Sequence, residues 1–361
     1  MNFSKDQQSI LTRLQSLAIY QELKAYLTLA IPLGLAQLIE ISMLTVDTWT
    51  MGILGRQVLA AGALGYTTFR FLFLIDSCII SATNTVASIA LGGNKNSKIN
   101  GILIQGFWLA ILLSIPVMII LGTSSIWMNL LGQERMNIIL SQGYLQALLW
   151  GIPAVLLYEV IRNVLTAINS PTIITAIAGL SIFINAALNY ILAFGKFGLP
   201  SLGLAGIGWA TTVVLWLQLL ISLVFIYCNP DFKNYQFLRQ GFRFDKSVFL
   251  EIFQIGWPSG ADYIAAGSFI TTLVYLFSYF GSEALAAFQI TYQVDLLIRY
   301  TVAGFSQAIV ARVGLMYGSQ DRKGVRRSGL VGISTSMLIV AFCMVAIAMN
   351  REAIVSIFIT P

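Results

Sequence analysis

Apolar residues in this chain come in long runs, broken by short clusters of Gly, Pro, Asn and charge. The stretches 101–127 (GILIQGFWLAILLSIPVMIILGTSSIW) and 203–227 hold no Asp, Glu, Lys or Arg. About 20 apolar residues carry a helix across roughly 30 Å of hydrocarbon. Helix is the form expected, because β-barrel strands would be about 10 residues long and alternate in polarity. The pattern predicts spans at 27–53, 59–91, 101–127, 139–167, 172–195, 203–227, 248–280, 284–317 and 329–349. Turn-forming clusters such as Gly92-Gly93-Asn94-Lys95-Asn96 and Asn169-Ser170-Pro171 join them.

An internal repeat organises these spans. Residues 31–61 and 257–287 align without a gap, placing Pro32 on Pro258, Gly34 on Gly260, Gly55 on Gly281 and Leu59-Ala60-Ala61 on Leu285-Ala286-Ala287. The copies open the first and seventh spans, six crossings apart, so both enter the membrane from the same side, as parallel repeats do. The expected fold is therefore all-α: a two-lobe helical bundle with a first lobe at 27–227, a polar cytoplasmic linker at 228–247 and a second lobe at 248–361. A second lobe as long as the first would run on past Pro361. Six helices plus three of an expected six are read here, so the second lobe is expected to be truncated.

Composition sharpens this picture. Of 361 residues, 57% are hydrophobic and 10% charged, against about 25% charged in a soluble domain; mean hydropathy is +0.81. With the N-terminus cytoplasmic, fifteen of the 21 Lys and Arg fall on the cytoplasmic side and four (Arg56, Arg135, Lys196, Arg351) opposite. That positive-inside bias predicts an inner-membrane protein with a cytoplasmic N-terminus. It also accounts for the net charge of +6 without nucleic acid as a partner. Residues 1–26 are polar and basic, with Ile10, Leu11, Leu14, Leu17 and Ala18 at helical spacing. They read as an amphipathic cytoplasmic leader on the membrane surface rather than a cleavable signal. Cys78, Cys228 and Cys343 read as packing residues, histidine is absent, and there is no phosphate-binding G-x-x-x-x-G-K-[ST] loop. An enzyme is not expected, nor a cofactor or resident metal.

The chemistry is carried by ionisable groups inside the spans, which are costly there and mark functional candidates. Asp47 lies deep in the first span with no cationic residue one turn away. At that depth an unpaired carboxylate exchanges protons or holds a partly dehydrated Na⁺ with neighbouring oxygens; the alternative is structural hydrogen bonding. Asn185 and Asn189, four apart, share a helix face and could complete such a site or serve as interhelical glue. Glu40, two turns before Asp47, is a second candidate on the same face. Asp262 and Asp295 are candidates for a second-lobe site, although Arg299 is placed i,i+4 to neutralise Asp295. Trp49, Phe69 and Gln37 are expected to line a substrate cleft, where aromatic faces suit organic cations. Glu159, Arg162 and Asn163 read as a structural network, and Asp76 and Arg70, six apart, as partners of other groups.

Taken together, Ile31-Pro32, Val46-Asp47-Thr48, Leu54-Gly55, Leu59-Ala60-Ala61, Asn185-x-x-x-Asn189-Tyr190, Phe194-Gly195-Lys196-Phe197-Gly198-Leu199-Pro200 and Gly203-x-x-Gly206 resemble the multidrug and toxic compound extrusion (MATE) family, nearest its bacterial NorM-like branch. Ala311-Arg312-Val313-Gly314 in the second lobe fits too. The resemblance implies twelve helices in two lobes around a central cleft, and export of small organic cations by alternating access, coupled to Na⁺ or H⁺. It implies that Asp47 is the principal coupling carboxylate and Asn185 part of its site. Asn189 stands where some archaeal members carry a second aspartate. Ala266 stands where branch members often carry a seventh-helix glutamate, with Asp262 one turn earlier, so coupling is expected in the first lobe. A monomer is expected. Two rivals are a non-transporting remnant of such an exporter and a lipid-linked sugar flippase, which would need a cleft lined with Arg and Lys.

Overall fold

The computed structural model describes residues 5–235, 241–279 and 282–350. Among these it forms twelve α-helices and no strand: α1 (Lys5–Leu54), α2 (Arg56–Ile80), α3 (Ala82–Gly92), α4 (Asn96–Gly122), α5 (Ser124–Leu130), α6 (Arg135–Leu149), α7 (Ile152–Ala167), α8 (Thr172–Phe194), α9 (Gly203–Cys228), α10 (Lys246–Tyr279), α11 (Ser282–Gly318) and α12 (Arg322–Met349). The expected C-terminal stretch 351–361 and linker residues 236–240 lie outside the described residues.

Turn chemistry ends these helices where the sequence breaks its apolar runs. Gly195 closes α8 with a left-handed φ of 67°, and a Cβ there would stand 2.5 Å from the Ser201 backbone nitrogen. Asn94 and Asn169 take the left-handed region in the turns before α4 and α8, which asparagine tolerates best after glycine. The second span is broken at Ser81 into α2 and α3. The fourth is a pair, α6 and α7, bent by 48°; Pro153, at the start of α7, cannot donate back into the preceding turn.

Two expectations change in detail. Helix α1 is continuous from Lys5, so no break separates a leader at 1–26 from the first span. The third span ends at Gly122, and the short α5 follows it as a separate helix. Among the described residues six helical stretches are long and apolar enough to cross a membrane, and seven if α6–α7 counts as one. Helices α10 and α11, with 34 and 37 residues, are long enough.

The register of the sequence repeat recurs as a pattern of contacts. A Cβ added to Gly34 of α1 would stand 3.1 Å from the Phe305 ring of α11, and one on Gly260 of α10 would stand 2.7 Å from Ile79 of α2. The register that aligns Pro32 with Pro258 also maps Ile79 onto Phe305, so these are one contact made twice. Gly92 leaves no room for a Cβ against the Leu315 carbonyl, and Gly318 none against the Ile89 carbonyl, again a reciprocal pair. Gly314 meets Ser88, its own counterpart. Reciprocal contacts meeting at a self-paired position are what a pseudo-two-fold axis through the α3–α11 seam produces. Side-chain-free crossings let the two backbones approach closely, the usual basis of helix association in lipid.

At the end of α1 that carries the N-terminus, the lobes are also tied by charge. Glu22 receives the Arg312 guanidinium from α11 at 2.9 and 2.7 Å and the Ser328 hydroxyl from α12 at 2.8 Å. Tyr26, 1% exposed, packs its ring against Phe305 just above. The cleft between the lobes is thus closed at this end.

Candidate functional site

Helix α1 lies against α8 and touches α9, and this packing builds the site at Asp47. Asp47, Thr50 and Met51 occupy one face of α1 and are buried at 3–4% exposure. Asn189 of α8 donates its amide to Asp47 Oδ1 at 2.6 Å and to Asn185 Oδ1 at 3.1 Å. Thr211 of α9 places its hydroxyl 3.3 Å from Asp47 Oδ2 and 3.1 Å from the Ile207 carbonyl. Asn185 and Asn189 are 0% and 1% exposed. Among the described residues no Lys or Arg pairs with Asp47.

Neutral groups alone therefore face a buried acid, and two of their atoms, Asn185 Nδ2 and Asn189 Oδ1, are buried without a well-formed hydrogen bond among the described residues. Buried polar atoms are almost always satisfied, so orphans at one spot mark a place where a guest completes the network. The oxygens available are both of Asp47, the amide oxygens of Asn185 and Asn189, and the Thr211 hydroxyl. Such hard oxygen donors suit a proton or an alkali cation rather than a soft metal.

The structure brings together three of the four expected first-lobe residues, Asp47, Asn185 and Asn189. Thr211 completes the group and went unread in the sequence. Glu40 is not among them. Two turns separate it from Asp47, about 10 Å along the helix, and Arg162 of α7 bridges it at 2.9 Å to Glu159, also held at 2.9 Å. Glu159 and Arg162 pair as expected, with Glu40 as the third member; Asn163, expected with them, has a buried Nδ2 with no partner among the described residues. Asp295 pairs with Arg299 at 2.5 Å, and Asp262 is exposed on α10; neither joins Asp47. Of the expected cleft residues, Trp49 is 69% exposed, two positions from Asp47 and so on another face of α1. Phe69 is 8% exposed, turned into the first lobe and stacked on Phe73 with centroids 6.2 Å apart. Burial in the lobe removes it from the cleft. Gln37 is buried a turn beyond Gly34, where α1 meets α11. Asp76 is buried in α2, and its Oδ2 has no partner among the described residues.

The family model named MatE matches residues 32–191 and 258–361. The chain belongs to the MatE family. Both matched segments of the MatE model begin at the prolines that the internal repeat superimposes, Pro32 and Pro258. The chain is 35% identical over 341 residues to the probable multidrug resistance protein NorM of a Synechococcus strain, covering 94% of this chain and 74% of that one. It is 31% identical over 342 residues to the probable multidrug resistance protein NorM of Pseudomonas aeruginosa, covering 94% and 69%. Solved MatE folds superpose on it closely. An outward-facing multidrug resistance MATE family transporter of the MOP superfamily matches with a TM-score of 0.85 at 18% identity, over 93% of this chain and 74% of that one. The eukaryotic MATE transporter AtDTX14 matches with 0.84 at 17%, over 95% and 76%. The fold is the two-lobe helical bundle of that family, and the chain is a multi-pass membrane protein.

Proposed function

We propose that this MatE chain exports small organic cations across the inner membrane in exchange for Na⁺ or H⁺, with its N-terminus in the cytoplasm. The observation that carries the reading is the buried Asp47, ringed by Asn185, Asn189 and Thr211 with no counter-cation among the described residues. A carboxylate at membrane depth costs about 2.5–3.5 kcal/mol on insertion scales, and a loosely held cation relieves that cost. The multidrug resistance descriptions of its relatives support a drug-sized cargo.

In the mechanism, Asp47 alternates between cation-loaded and cation-free states as the lobes rock. Loading neutralises the acid and lets the Asn189 and Asn185 amides reorient, which shifts α1 against α8 and disfavours bound substrate. Discharge on the cytoplasmic side restores the substrate-favouring state. Exchange of one such ion for one organic monocation moves no net charge, so the concentration gradient of the coupling ion drives it: each tenfold of that gradient, about 1.4 kcal/mol, supports about a tenfold substrate gradient. A lipid-linked sugar flippase is disfavoured, because Arg70 is the one cation of the first-lobe spans free of a carboxylate among the described residues, and Arg299 is already paired.

The test is substrate flux in proteoliposomes under separately imposed Na⁺ and proton gradients, for wild type and Asp47→Asn. One gradient should drive wild-type flux and neither should drive the variant. Undiminished gradient-driven flux in Asp47→Asn would refute the scheme.

A further inference from the structure

Polar side chains run down the inside of the α8–α9 pair, starting at the Asp47 site. From Ala176 to Asn189 the hydrogen-bonding side chains of α8 are Ser181, Asn185 and Asn189, each four residues from the next and so on one face. On α9, Thr211, Gln218 and Ser222 stand seven and four residues apart and share a face as well, while Thr212 turns to the Ala147 carbonyl of α6. The two stripes meet where Gln218 donates its amide to the Ser181 hydroxyl at 2.9 Å; the Ser222 hydroxyl donates to the Gln218 backbone carbonyl at 2.6 Å. None of these six side chains belongs to a residue more than 7% exposed. With the N-terminus cytoplasmic, α8 rises from the cytoplasmic side and α9 returns to it, so the file descends toward the cytoplasm. From Thr211 to Ser222 it spans about 16 Å, and Cys228, the exposed end of α9, lies about 9 Å further on. Ile174 and Ile226, 1% and 3% exposed, fill the last turns below it.

Adhesion between helices accounts for one cross-bond, Gln218 to Ser181. It does not account for a stripe on each helix, both headed by the groups that hold Asp47. Polar groups at membrane depth mark ion pathways, because a dehydrated ion moves only where each oxygen it leaves is replaced by another within reach. The file supplies such steps in order: the Asn185 amide oxygen, the Ser181 hydroxyl, the Gln218 carboxamide oxygen and the Ser222 hydroxyl. The cleft is closed below by the Glu22–Arg312 tie, and Asp47, 4% exposed, faces α8 and α9 instead. We propose that Asn185, Ser181, Gln218 and Ser222 form the route by which the ion held at Asp47 leaves for the cytoplasm, through the interior of the first lobe and apart from the substrate cleft. The apolar turns at Ile174 and Ile226 are the part that opens on discharge. This rests on the reading of the chain as an exporter with a cytoplasmic N-terminus, and it deepens that reading by naming the ion's exit.

The test places a thiol in the file and asks from which side an ion reaches it. With Cys78, Cys228 and Cys343 replaced by Ser, Ser181→Cys is treated with Ag⁺, a thiol-reactive ion close to Na⁺ in size. Loss of free thiol is followed in everted membrane vesicles, which present the cytoplasmic side, and in spheroplasts, which present the other. Ser181→Cys and Ser222→Cys should each react several-fold faster in everted vesicles. Leu219→Cys, at a position 3% exposed beside Gln218, should stay unreactive in both. Thiols at 181 and 222 that react no faster than the one at 219, or faster from the outer side, overturn the route. Flux gives a second readout. Gln218→Met keeps the side chain's length and touches no ligand of Asp47. Its maximal flux should fall about tenfold, while the half-saturating concentration of the driving ion stays within about twofold of wild type. An unchanged maximal flux, or a loss confined to half-saturation, overturns the route as well. The thiol reaction needs neither substrate nor gradient. A wild type whose flux follows neither a Na⁺ nor a proton gradient would defeat the exporter reading, while the sidedness of Ser181→Cys still decides the route.

Discussion

Glu22→Gln is expected to open the N-terminal end of the cleft. In the structure Glu22 is 3% exposed and takes both the Nε and a terminal nitrogen of Arg312, at 2.9 and 2.7 Å, as well as the Ser328 hydroxyl at 2.8 Å. An amide in its place returns one acceptor oxygen and leaves the Arg312 charge facing a neutral group. Removing one member of a buried ion pair costs about 3–5 kcal/mol when the survivor stays buried. Here Arg312 recovers water once the lobes part, so the cost falls on the closed state alone. Taking about 3 kcal/mol, the closed-to-open ratio falls roughly 150-fold. The reporter is Asn84, 2% exposed at the lobe seam with its amide donating to the Gln307 carbonyl at 3.2 Å. With Cys78, Cys228 and Cys343 replaced by Ser, Asn84→Cys should react slowly with a maleimide in the purified protein. Adding Glu22→Gln should speed that reaction in proportion to the open population, by at least about tenfold. The double variant Glu22→Gln/Arg312→Gln should lie nearer the starting rate, because it strands no charge. A rate within twofold of the starting one in Glu22→Gln would refute the reasoning.

Other consequences follow from the same coordinates. Thr211→Val removes one ligand from Asp47 and should raise the half-saturating coupling-ion concentration about fivefold, the worth of one modest hydrogen bond; Thr211→Ser should restore it, as read by flux against ion concentration. Arg162→Gln leaves Glu40 and Glu159 facing each other without a cation, and should lower thermal stability by about 3 kcal/mol or more. Under the same melt Arg299→Gln, from a pair whose side chains are 65% and 42% exposed, should stay within about 1 kcal/mol of wild type. Gly256→Ala drives a Cβ into the Ile79 carbonyl of α2, so α10 must shift; a cost of about 1–3 kcal/mol is expected in the same assay.

How far the chain could be read without coordinates depends on the range of each interaction. Span positions and the repeat were legible because apolar runs and a gapless register are properties of the chain itself. The Asn185–Asn189 pairing was legible for the same reason, since four residues make one helical turn. Thr211 was not, because a threonine in an apolar helix usually satisfies itself on its own backbone, and this one does so at Ile207 as well. Glu40 shares a face with Asp47, but its fate was decided by Arg162, a partner on another helix. The Glu22–Arg312 tie joins residues from opposite ends of the chain in the same way. Phe69 and Phe71, two apart on one helix, point to different sides, so only packing tells which meets the lobe interior and which meets α10.

The claim at the centre is that Asp47 holds an exchangeable cation which substrate binding expels. Stoichiometric release tests it most directly. Substrate is added to the purified chain in weakly buffered solution, with pH and Na⁺ followed by electrodes. The account predicts release of about one H⁺ or Na⁺ per chain from wild type, by the reciprocity of coupled binding, and none from Asp47→Asn under saturating substrate. Equal release from both proteins would contradict it.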